Sequence, residues 1–447
     1  MTDPRDLTIG AATYRMRTGE LTARKLVESC LERIHERDST IRAWVEVYEA
    51  QALEEARRCD REARAGKWRG DLHGIPVGVK DIIDVQGMWT RAGTAIYPAR
   101  VAEVDAPSVQ RLKAAGAIIL GKTETTPFAN NDPTVTRNPW NPKHTPGGSS
   151  SGSGAAVADR MCPAALGTQT GGSLLRPAAY TGIVGFKPTY GHISVQGVMP
   201  NTWSFDTVGV HARCVADAEI VWRNLKEKKP LPFARIPIAF HRPARRDPQD
   251  PPALGYIRDF FEKETAADVL RNLATAMEAF KKAGARIVEL NLPDDFGLLI
   301  EGWSTIKGAE LSAYHRPLFS THGEQFPPKI KARIEKGFSV PAHQYVEAIR
   351  RRLLFQKKMS AILSPVDAVI MPVASTTAPE GLSSTGSSVF NRPWTFTGFP
   401  AMSIPSGLDS SGLPFAIQMA ALPLAEAHLL SVAAWCEQVL GFKQRPV

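Results

Sequence analysis

One segment of the sequence is unusually rich in glycine, serine and threonine: GGSSSGSGAAVADRMCPAALGTQTGGSLLRPA, from Gly147 to Ala178. Small polar residues of this kind often mark linkers, but here they enclose the apolar run Met161–Leu166, and Ile183–Phe186 follows shortly after. Such apolar runs must be buried in a folded protein. The segment therefore predicts a packed region in which backbones approach closely, and not a flexible linker.

The first half of this segment, Gly147–Gly154, is open to three interpretations. A phosphate-binding loop would end in Gly-Lys-Ser/Thr, but the chain continues as Ala155-Ala-Val157. A nucleophile elbow matches G-x-S-x-G formally, yet it must follow a strand, and the proline-containing stretch 141–147 cannot form one. We therefore interpret the first half as a loop that positions hydroxyl groups, among them that of Ser149.

The second half of the segment places Ser173 after a Gly-Gly pair, at the predicted start of a short helix. Backbone N–H groups of Thr170, Gly171, Gly172 and Ser173 converge in such a turn and would stabilise a developing oxyanion, helped by the helix dipole. An oxyanion site beside a serine hydroxyl is what acyl transfer requires.

A lysine ends the β-branched run from Gly74 to Asp84, which predicts a buried strand with Lys80 near its end. The apolar residues around Lys80 disfavour the ammonium form and lower the pKa of the amine. Lys80 is therefore a candidate general base.

Helical and strand patterns alternate along the rest of the chain, and one mixed sheet wrapped by helices would accommodate them. The predicted helices are one capped by Thr22 and those over 50–65, 105–115 and 266–283, and the predicted strands are 117–120, 286–290 and 367–371. The polar stretch 380–388 predicts either a mobile cover over a site or a plain surface loop.

Several of these motifs together resemble the amidase-signature family: Gly78-Val-Lys80-Asp81, Gly147–Ser153, Gly167–Ser173, Pro177-Ala178 and Gly185–Thr189. The similarity continues through 138–142, 203–209 and 398–405, so it covers nearly the whole chain. It implies an α/β fold with a single α/β/α domain over 1–447, in which a central mixed, twisted sheet is covered by helices. Its core catalytic segment would be 70–215, with a flexible loop at 376–395 over the site.

The resemblance also implies a Ser-cisSer-Lys triad: Ser173 attacks the carbonyl carbon, Ser149 relays the proton, and Lys80 accepts it. The Gly148–Ser149 peptide bond would be cis, and neither a metal nor an organic cofactor would be needed. Two positions depart from the common family form, because Gln169 replaces an aspartate and Leu175 replaces an arginine, with Arg176 following. Arg176 would either face the acyl pocket or pair with a backbone carbonyl or a carboxylate.

The expected activity is hydrolysis of amides, anilides, carbamates (urethanes) or esters through an acyl-enzyme. An alternative is a partner-dependent, glutamine-hydrolysing subunit of a tRNA amidotransferase. A non-catalytic binding protein is disfavoured by the intact triad. Expected substrate-binding residues are Gly148, Gln169, Arg176, Phe128, Asn130, Trp203 and Phe390.

Composition predicts a cytoplasmic enzyme with a small-molecule substrate and with neither nucleic-acid nor membrane partners. The net charge is +9, but the basic residues are scattered, and the densest groups (226–229, 242–246 and 350–358) suit solvated surface. No leader pattern and no apolar run of about 18 residues occur, and five dispersed cysteines predict buried thiols. We expect His192 and His211 to have structural roles. We interpret the match of Ser304-Thr-Ile-Lys307 to the S-x-x-K motif as chance. Oligomeric state stays open.

Overall fold

A single large sheet forms the centre of the molecule in the computed structural model, which describes residues 3–227, 247 and 249–446. The strands are β1 (Trp44–Val47), β2 (Pro76–Lys80), β3 (Trp89–Thr90), β4 (Arg100–Val101), β5 (Ile118–Thr123), β6 (Ala164–Gln169), β7 (Val184–Lys187), β8 (Thr207–Ala212), β9 (Ala253–Ile257), β10 (Arg286–Leu290), β11 (Ala368–Pro372), β12 (Ala401–Leu408) and β13 (Pro414–Ala420). Eleven of them form the main sheet in the order β1-β5-β2-β6-β8-β7-β12-β13-β11-β9-β10, and β3 pairs with β4.

Helices cover this sheet. They are α1 (Ile9–Arg17), α2 (Ala23–Ile41), α3 (Glu49–Arg64), α4 (Pro107–Ala114), α5 (Ser151–Ala158), α6 (Leu175–Thr181), α7 (Val215–Leu225), α8 (Asp259–Glu262), α9 (Ala267–Lys282), α10 (Gly297–His322), α11 (Pro328–Phe338), α12 (Ala342–Leu363), α13 (Arg392–Thr397) and α14 (Glu426–Leu440). Short 3₁₀ turns occur at Pro4–Asp6, Pro127–Ala129 and Gly323–Gln325.

The sheet is mixed and both of its faces are covered. Pairs such as β2–β5 and β2–β6 are parallel, whereas β6–β8 and β12–β13 are antiparallel. In β11, Ala368 and Ile370 belong to one apolar core, and Val369 and Met371 belong to the other. Because successive side chains of a strand point to opposite faces, the two cores lie on opposite sides of the sheet. The predicted α/β/α fold class is confirmed.

Most predicted elements occur close to their expected bounds. Thr22 caps α2, with its hydroxyl accepting the N–H of Lys25 at 3.1 Å. The helix predicted over 105–115 begins at Pro107, because proline takes the first helical position without losing a hydrogen bond. The strand predicted over 117–120 extends as β5 to Thr123.

Four cysteines are buried and Cys214 is half-buried, and all five are free thiols. Of the basic groups noted in the sequence, 242–246 and 228–229 lie outside the described residues. Within the described ranges, none of the helices combines the length and the apolar character needed to cross a bilayer.

Candidate active site

Two parallel strands bring the base to the site. Because β2 and β6 are parallel neighbours, their carboxyl ends meet at one edge of the sheet, with Lys80 ending β2 and Thr168 near the end of β6. Lys80 is fully buried, and its Nζ lies 2.7 Å from Ser149 Oγ and 2.9 Å from Thr168 Oγ1. Burial lowers the pKa of Lys80 well below its usual value, and the carboxylate of Asp206 opposes this in part.

The lowered pKa of Lys80 favours the neutral amine. A neutral Nζ has two hydrogens and one lone pair, so it can donate to Thr168 and accept from the hydroxyl of Ser149. A neutral amine in this position can accept the Ser149 proton, and the role of Lys80 as the base stays a prediction. The role of Thr168 was not anticipated, although Thr168 belongs to the Gly167–Ser173 motif and the signal was therefore present.

Backbone contacts fix the position of Ser149. The Gly148–Ser149 peptide bond is cis, as predicted. The carbonyl of Ser149 accepts hydrogen bonds from the N–H of Thr126 at 3.2 Å and from the hydroxyl of Thr125 at 3.1 Å. The main chain of Ser149 is therefore held by the turn that follows β5, and the side chain contacts Lys80.

Ser173 is the member of the proposed triad that solvent reaches, since Ser149 and Lys80 are buried and Ser173 is half-buried. The N–H of Ser150 donates to the carbonyl of Ser173 at 3.2 Å, which joins the two serine segments. A substrate would therefore reach this group of residues at Ser173, and a proton relay from Ser173 to Lys80 stays a prediction.

The turn before Ser173 has free hydrogen-bond donors. The N–H groups of Gly171, Gly172 and Ser173 donate to no acceptor among the residues that the structure describes. Thr170 is fixed from both sides, because its carbonyl accepts from Trp303 Nε1 at 3.0 Å and its hydroxyl donates to Asp206. Three unpaired N–H groups beside a serine hydroxyl form an arrangement that stabilises an oxyanion.

Gln169 lies behind this turn. Its side-chain oxygen accepts the N–H groups of Leu174 and Leu175, both at 3.1 Å, and its Nε2 donates to Thr395 Oγ1 at 3.1 Å. The hydroxyl of Thr395 in turn donates to the carbonyl of Gly171 at 3.2 Å. The structure therefore gives Gln169 a positioning role, with its amide occupied by protein groups.

Arg176 pairs with backbone carbonyls, the second of the two roles considered for it. The guanidinium is 2% exposed and donates to the carbonyls of Gly148 and Gly386, the latter at 2.7 Å, and to Thr385 Oγ1 at 3.1 Å. Burial lowers the pKa of Arg176 to about 10. The carbonyl of Gly148 is thus occupied, and Arg176 connects the Ser149 segment to the polar loop.

This polar loop, 380–388, is anchored at several points. The N–H of Gly381 donates to the carbonyl of Lys143 at 2.7 Å, and Lys329 Nζ donates to the carbonyl of Ser383 at 2.6 Å. The longer stretch 376–395 runs into α13 from Arg392 onward. Movement of the loop over the site stays a prediction.

The remaining candidate substrate-binding residues separate into three environments. Phe128 is fully buried against Phe326, with ring centroids 4.9 Å apart, and Phe390 packs into the core against Phe261. Trp203 is 48% exposed. Asn130 is buried, and neither amide atom of its side chain has a partner among the described residues. A buried, unpaired amide of this kind is a candidate for ligand contact.

The two histidines have structural partners. Nδ1 of His192 lies 2.7 Å from the carboxylate of Glu426, and Nε2 of His211 lies 2.8 Å from the carbonyl of Leu174. Burial lowers the pKa of His211 to about 4, so it is neutral at ordinary pH. In the S-x-x-K match, Ser304 Oγ donates to a carbonyl of its own helix.

Comparison with known proteins gives the family. The family model described as Amidase matches residues 25–430. The chain belongs to the amidase family. The proteins that resemble it include one subunit of the glutamyl-tRNA(Gln) amidotransferase of Chloroflexus aggregans, which is 33% identical over 100% of this chain and 99% of the relative.

Solved amidase structures resemble this one closely. Native peptide amidase from Stenotrophomonas maltophilia is 29% identical and superposes with a TM-score of 0.84, covering 99% of this chain and 98% of that one. A chain of a structure described as an unexpected vestigial protein complex, which reveals the evolutionary origins of an s-triazine catabolic enzyme, is 26% identical with a TM-score of 0.87, and the match covers 98% of this chain and 100% of that one.

These findings support an enzyme of the amidase family that acts on C–N bonds, and they correct one expectation. From the scattered basic residues we expected no nucleic-acid partner. That prediction is wrong, because these relatives are subunits of an amidotransferase named for glutamyl-tRNA(Gln). Overall charge distribution does not detect a nucleic acid that is handled by a larger assembly. Carbamates and linear amides as substrates stay a prediction.

Proposed function

We propose that this amidase hydrolyses the side-chain amide of glutamine through a Ser173 acyl-enzyme and supplies ammonia within an amidotransferase assembly that acts on tRNA. The observation that carries the proposal is the end-to-end similarity to one subunit of the glutamyl-tRNA(Gln) amidotransferases, at 33% identity over 100% of this chain. The similarity includes the segment that forms the site.

The contacts of the site support the following chemistry. Ser173 Oγ attacks the amide carbon, its proton passes to Ser149, and the Ser149 proton passes to neutral Lys80. The oxyanion lies against the N–H groups of the turn. As the C–N bond breaks, the proton returns from Lys80 through Ser149 to the nitrogen, and ammonia leaves. Water then attacks the ester, again with Lys80 as base.

A second candidate function is a free-standing amidohydrolase for small amides. The observation that favours it is a pair of half-buried arginines beside the Trp303 ring, Arg333 and Arg392, which form no ion pair with an acidic side chain among the described residues. Glutamine carries an ammonium group as well as a carboxylate, and an excess of cations suits an anionic amide better than a zwitterion.

The test measures ammonia release from glutamine by the purified chain alone, and then with the other subunits of its host's amidotransferase and glutamyl-tRNA(Gln). We expect release that rises about tenfold or more with the partners and that disappears in Ser173→Ala. Ser320→Ala, a matched change at an exposed serine in α10, should behave as wild type.

Two outcomes would change the proposal. Hydrolysis of anilides or other small amides by the chain alone, with no response to the partners, would favour the free-standing amidohydrolase. Full activity of Ser173→Ala towards every amide would contradict the acyl-enzyme chemistry in both candidates.

A further inference from the structure

One buried carboxylate joins two segments that border the site. Asp206 is 7% exposed and comes just before β8, which is the antiparallel neighbour of β6. One oxygen of its carboxylate accepts the hydroxyl of Thr170 at 2.5 Å, and the other accepts the N–H groups of Asn201 and Thr202 at 2.7 and 2.9 Å. Asp206 therefore connects the turn before Ser173 to a second segment.

The second segment holds the loop on which a candidate substrate contact lies. Asn201 Nδ2 donates to the carbonyl of Ala129 at 3.0 Å. Phe128 and Ala129 have positive φ angles, 51° and 52°, a conformation that residues with a side chain rarely adopt. Contacts from the rest of the molecule must therefore hold this loop, and Asn130, with its buried and unpaired amide, follows directly. One carboxylate thus supports both the predicted oxyanion donors and this loop.

The charge of Asp206 also acts on the proposed base. Burial lowers the pKa of Lys80, and the Asp206 carboxylate opposes this effect. Burial raises the pKa of Asp206 itself to about 6, so the side chain is ionised above that pH. Further ionisable groups act on Asp206 or Lys80, or line the same cavity as Asp206: Lys307, Tyr190, Glu310 and His211.

Hydrogen bonding alone does not require a charge at this position. An asparagine can accept both backbone N–H groups with its oxygen and donate to the Thr170 hydroxyl with its nitrogen. A buried carboxylate is costly to desolvate, so the charge calls for a separate reason. The proposed reaction supplies one, because Lys80 becomes a buried ammonium when it takes the proton from Ser149.

We propose that Asp206 is a positioning residue of the reaction: its carboxylate holds the turn before Ser173 through the Thr170 hydroxyl, and it balances the positive charge that Lys80 acquires with the proton. The inference rests on the proposed attack by Ser173. The Thr170 hydroxyl takes part in the first effect alone, whereas Asp206 takes part in both. Variants at the two positions therefore separate the effects.

The test follows sulfonylation of Ser173 by phenylmethylsulfonyl fluoride across pH, measured on the full chain by intact-protein mass spectrometry. In this reaction Ser173 Oγ bonds to sulfur, the S–F bond breaks and fluoride leaves, while the serine proton passes through Ser149 to Lys80. No amide substrate is needed. The same pH profile is then measured for ammonia release from glutamine with the partner subunits.

Asp206→Asn should lower the maximal rate about tenfold and move the fall in rate on the acid side to lower pH by about one unit, because the Lys80 ammonium loses its counter-charge. Thr170→Val should lower the maximal rate about tenfold without moving that fall, and Thr170→Ser should recover most of the loss. Asp217→Asn is the matched control, since the buried carboxylate of Asp217 in α7 accepts the N–H of Ile9 at 2.9 Å. It should leave the rate and the pH profile unchanged.

The outcomes separate this inference from the proposed function. If Ser173 is sulfonylated with the expected shifts but glutamine is not hydrolysed, with or without partners, the proposed function fails and the inference stands. If glutamine is hydrolysed through Ser173 but the pH profile of Asp206→Asn matches wild type, the inference is wrong and the proposed function stands. Melting temperature checks folding. If Asp206→Asn is unfolded, Thr170→Val carries the test, and an unchanged rate in that variant overturns the inference.

Discussion

Gly172 offers a direct test of the oxyanion turn. A Cβ at this position would lie 2.3 Å from Asn391 Oδ1 and 2.8 Å from Ser388 Cβ. Contacts between carbon and oxygen atoms that are not bonded need roughly 3.3 Å, so Gly172→Ala requires a shift of about 1 Å. Asn391 cannot readily move, because its Nδ2 donates to the carbonyl of Val373 at 3.0 Å and to Gln418 Oε1 at 2.7 Å. The turn must move instead.

The size of the effect follows from the geometry of the donors. Oxyanion donors act at about 2.7–3.1 Å, and loss of one of them costs roughly 10²–10³-fold in kcat. A 1 Å displacement of the turn removes at least one donor from that range. We therefore expect Gly172→Ala to lower kcat by about 10²–10³-fold, with KM within about threefold of wild type, because the donors act mainly in the transition state.

The assay is steady-state ammonia release from the best amide substrate, with melting temperature as a check on folding. Gly10→Ala is the matched control, because nothing lies within 4 Å of a Cβ built at Gly10 in α1. If Gly172→Ala folds normally and keeps kcat within about threefold, or if only its KM changes, the assignment of these N–H groups as oxyanion donors is refuted.

Three further predictions concern the residues behind the turn. Burial lowers the pKa of Lys80, and the protonated amine cannot accept a proton, so kcat/KM should fall as the pH decreases through that pKa. If kcat/KM rises only as the pH approaches the usual lysine pKa of about 10.4, this prediction is contradicted. Ser149→Ala should lower kcat by about 10²–10⁴-fold, because it removes the proton relay. Thr168→Val should lower kcat only about tenfold, because Thr168 orients the amine without relaying a proton. Equal losses of kcat in the two variants would be inconsistent with these roles. Arg176→Met should lower the free energy of unfolding, measured by urea titration, by about 3 kcal/mol, since it leaves the carbonyls of Gly148 and Gly386 unpaired. An unchanged free energy of unfolding would show that water replaces the guanidinium.

The local sequence predicts best those properties of a residue that depend on its neighbours along the chain. Lys80 ends its own apolar strand, so the local sequence already indicates a buried lysine with a lowered pKa, whereas the oxyanion site predicted from the glycines before Ser173 stays a prediction. The fold class follows in the same way from buried strands that alternate with capped helices. Boundaries move by only a few residues, as where Pro107 sets the start of α4.

Residues whose role depends on distant partners were not predictable. Arg176 contacts Gly148 and Gly386, which lie 28 and 210 positions away along the chain, so its alternatives had to stay open. Phe390 and Asn391 are neighbours in sequence, yet the first packs in the core and the second lies against Gly172. Helical phase and tertiary packing decide such cases, and a single sequence reports neither.

The three basic side chains around the Trp303 ring show the same limit. Lys307, Arg333 and Arg392 each look like ordinary surface charge in the sequence, and only the packing of α10, α11 and α13 brings them together. The proposed triad, by contrast, is built at the edge of the sheet from β2, β6 and the adjoining turns. End-to-end similarity to the amidotransferase relatives supports both the amide chemistry and glutamine as the donor, and ammonia release from glutamine with and without the partner subunits is the experiment that decides the donor.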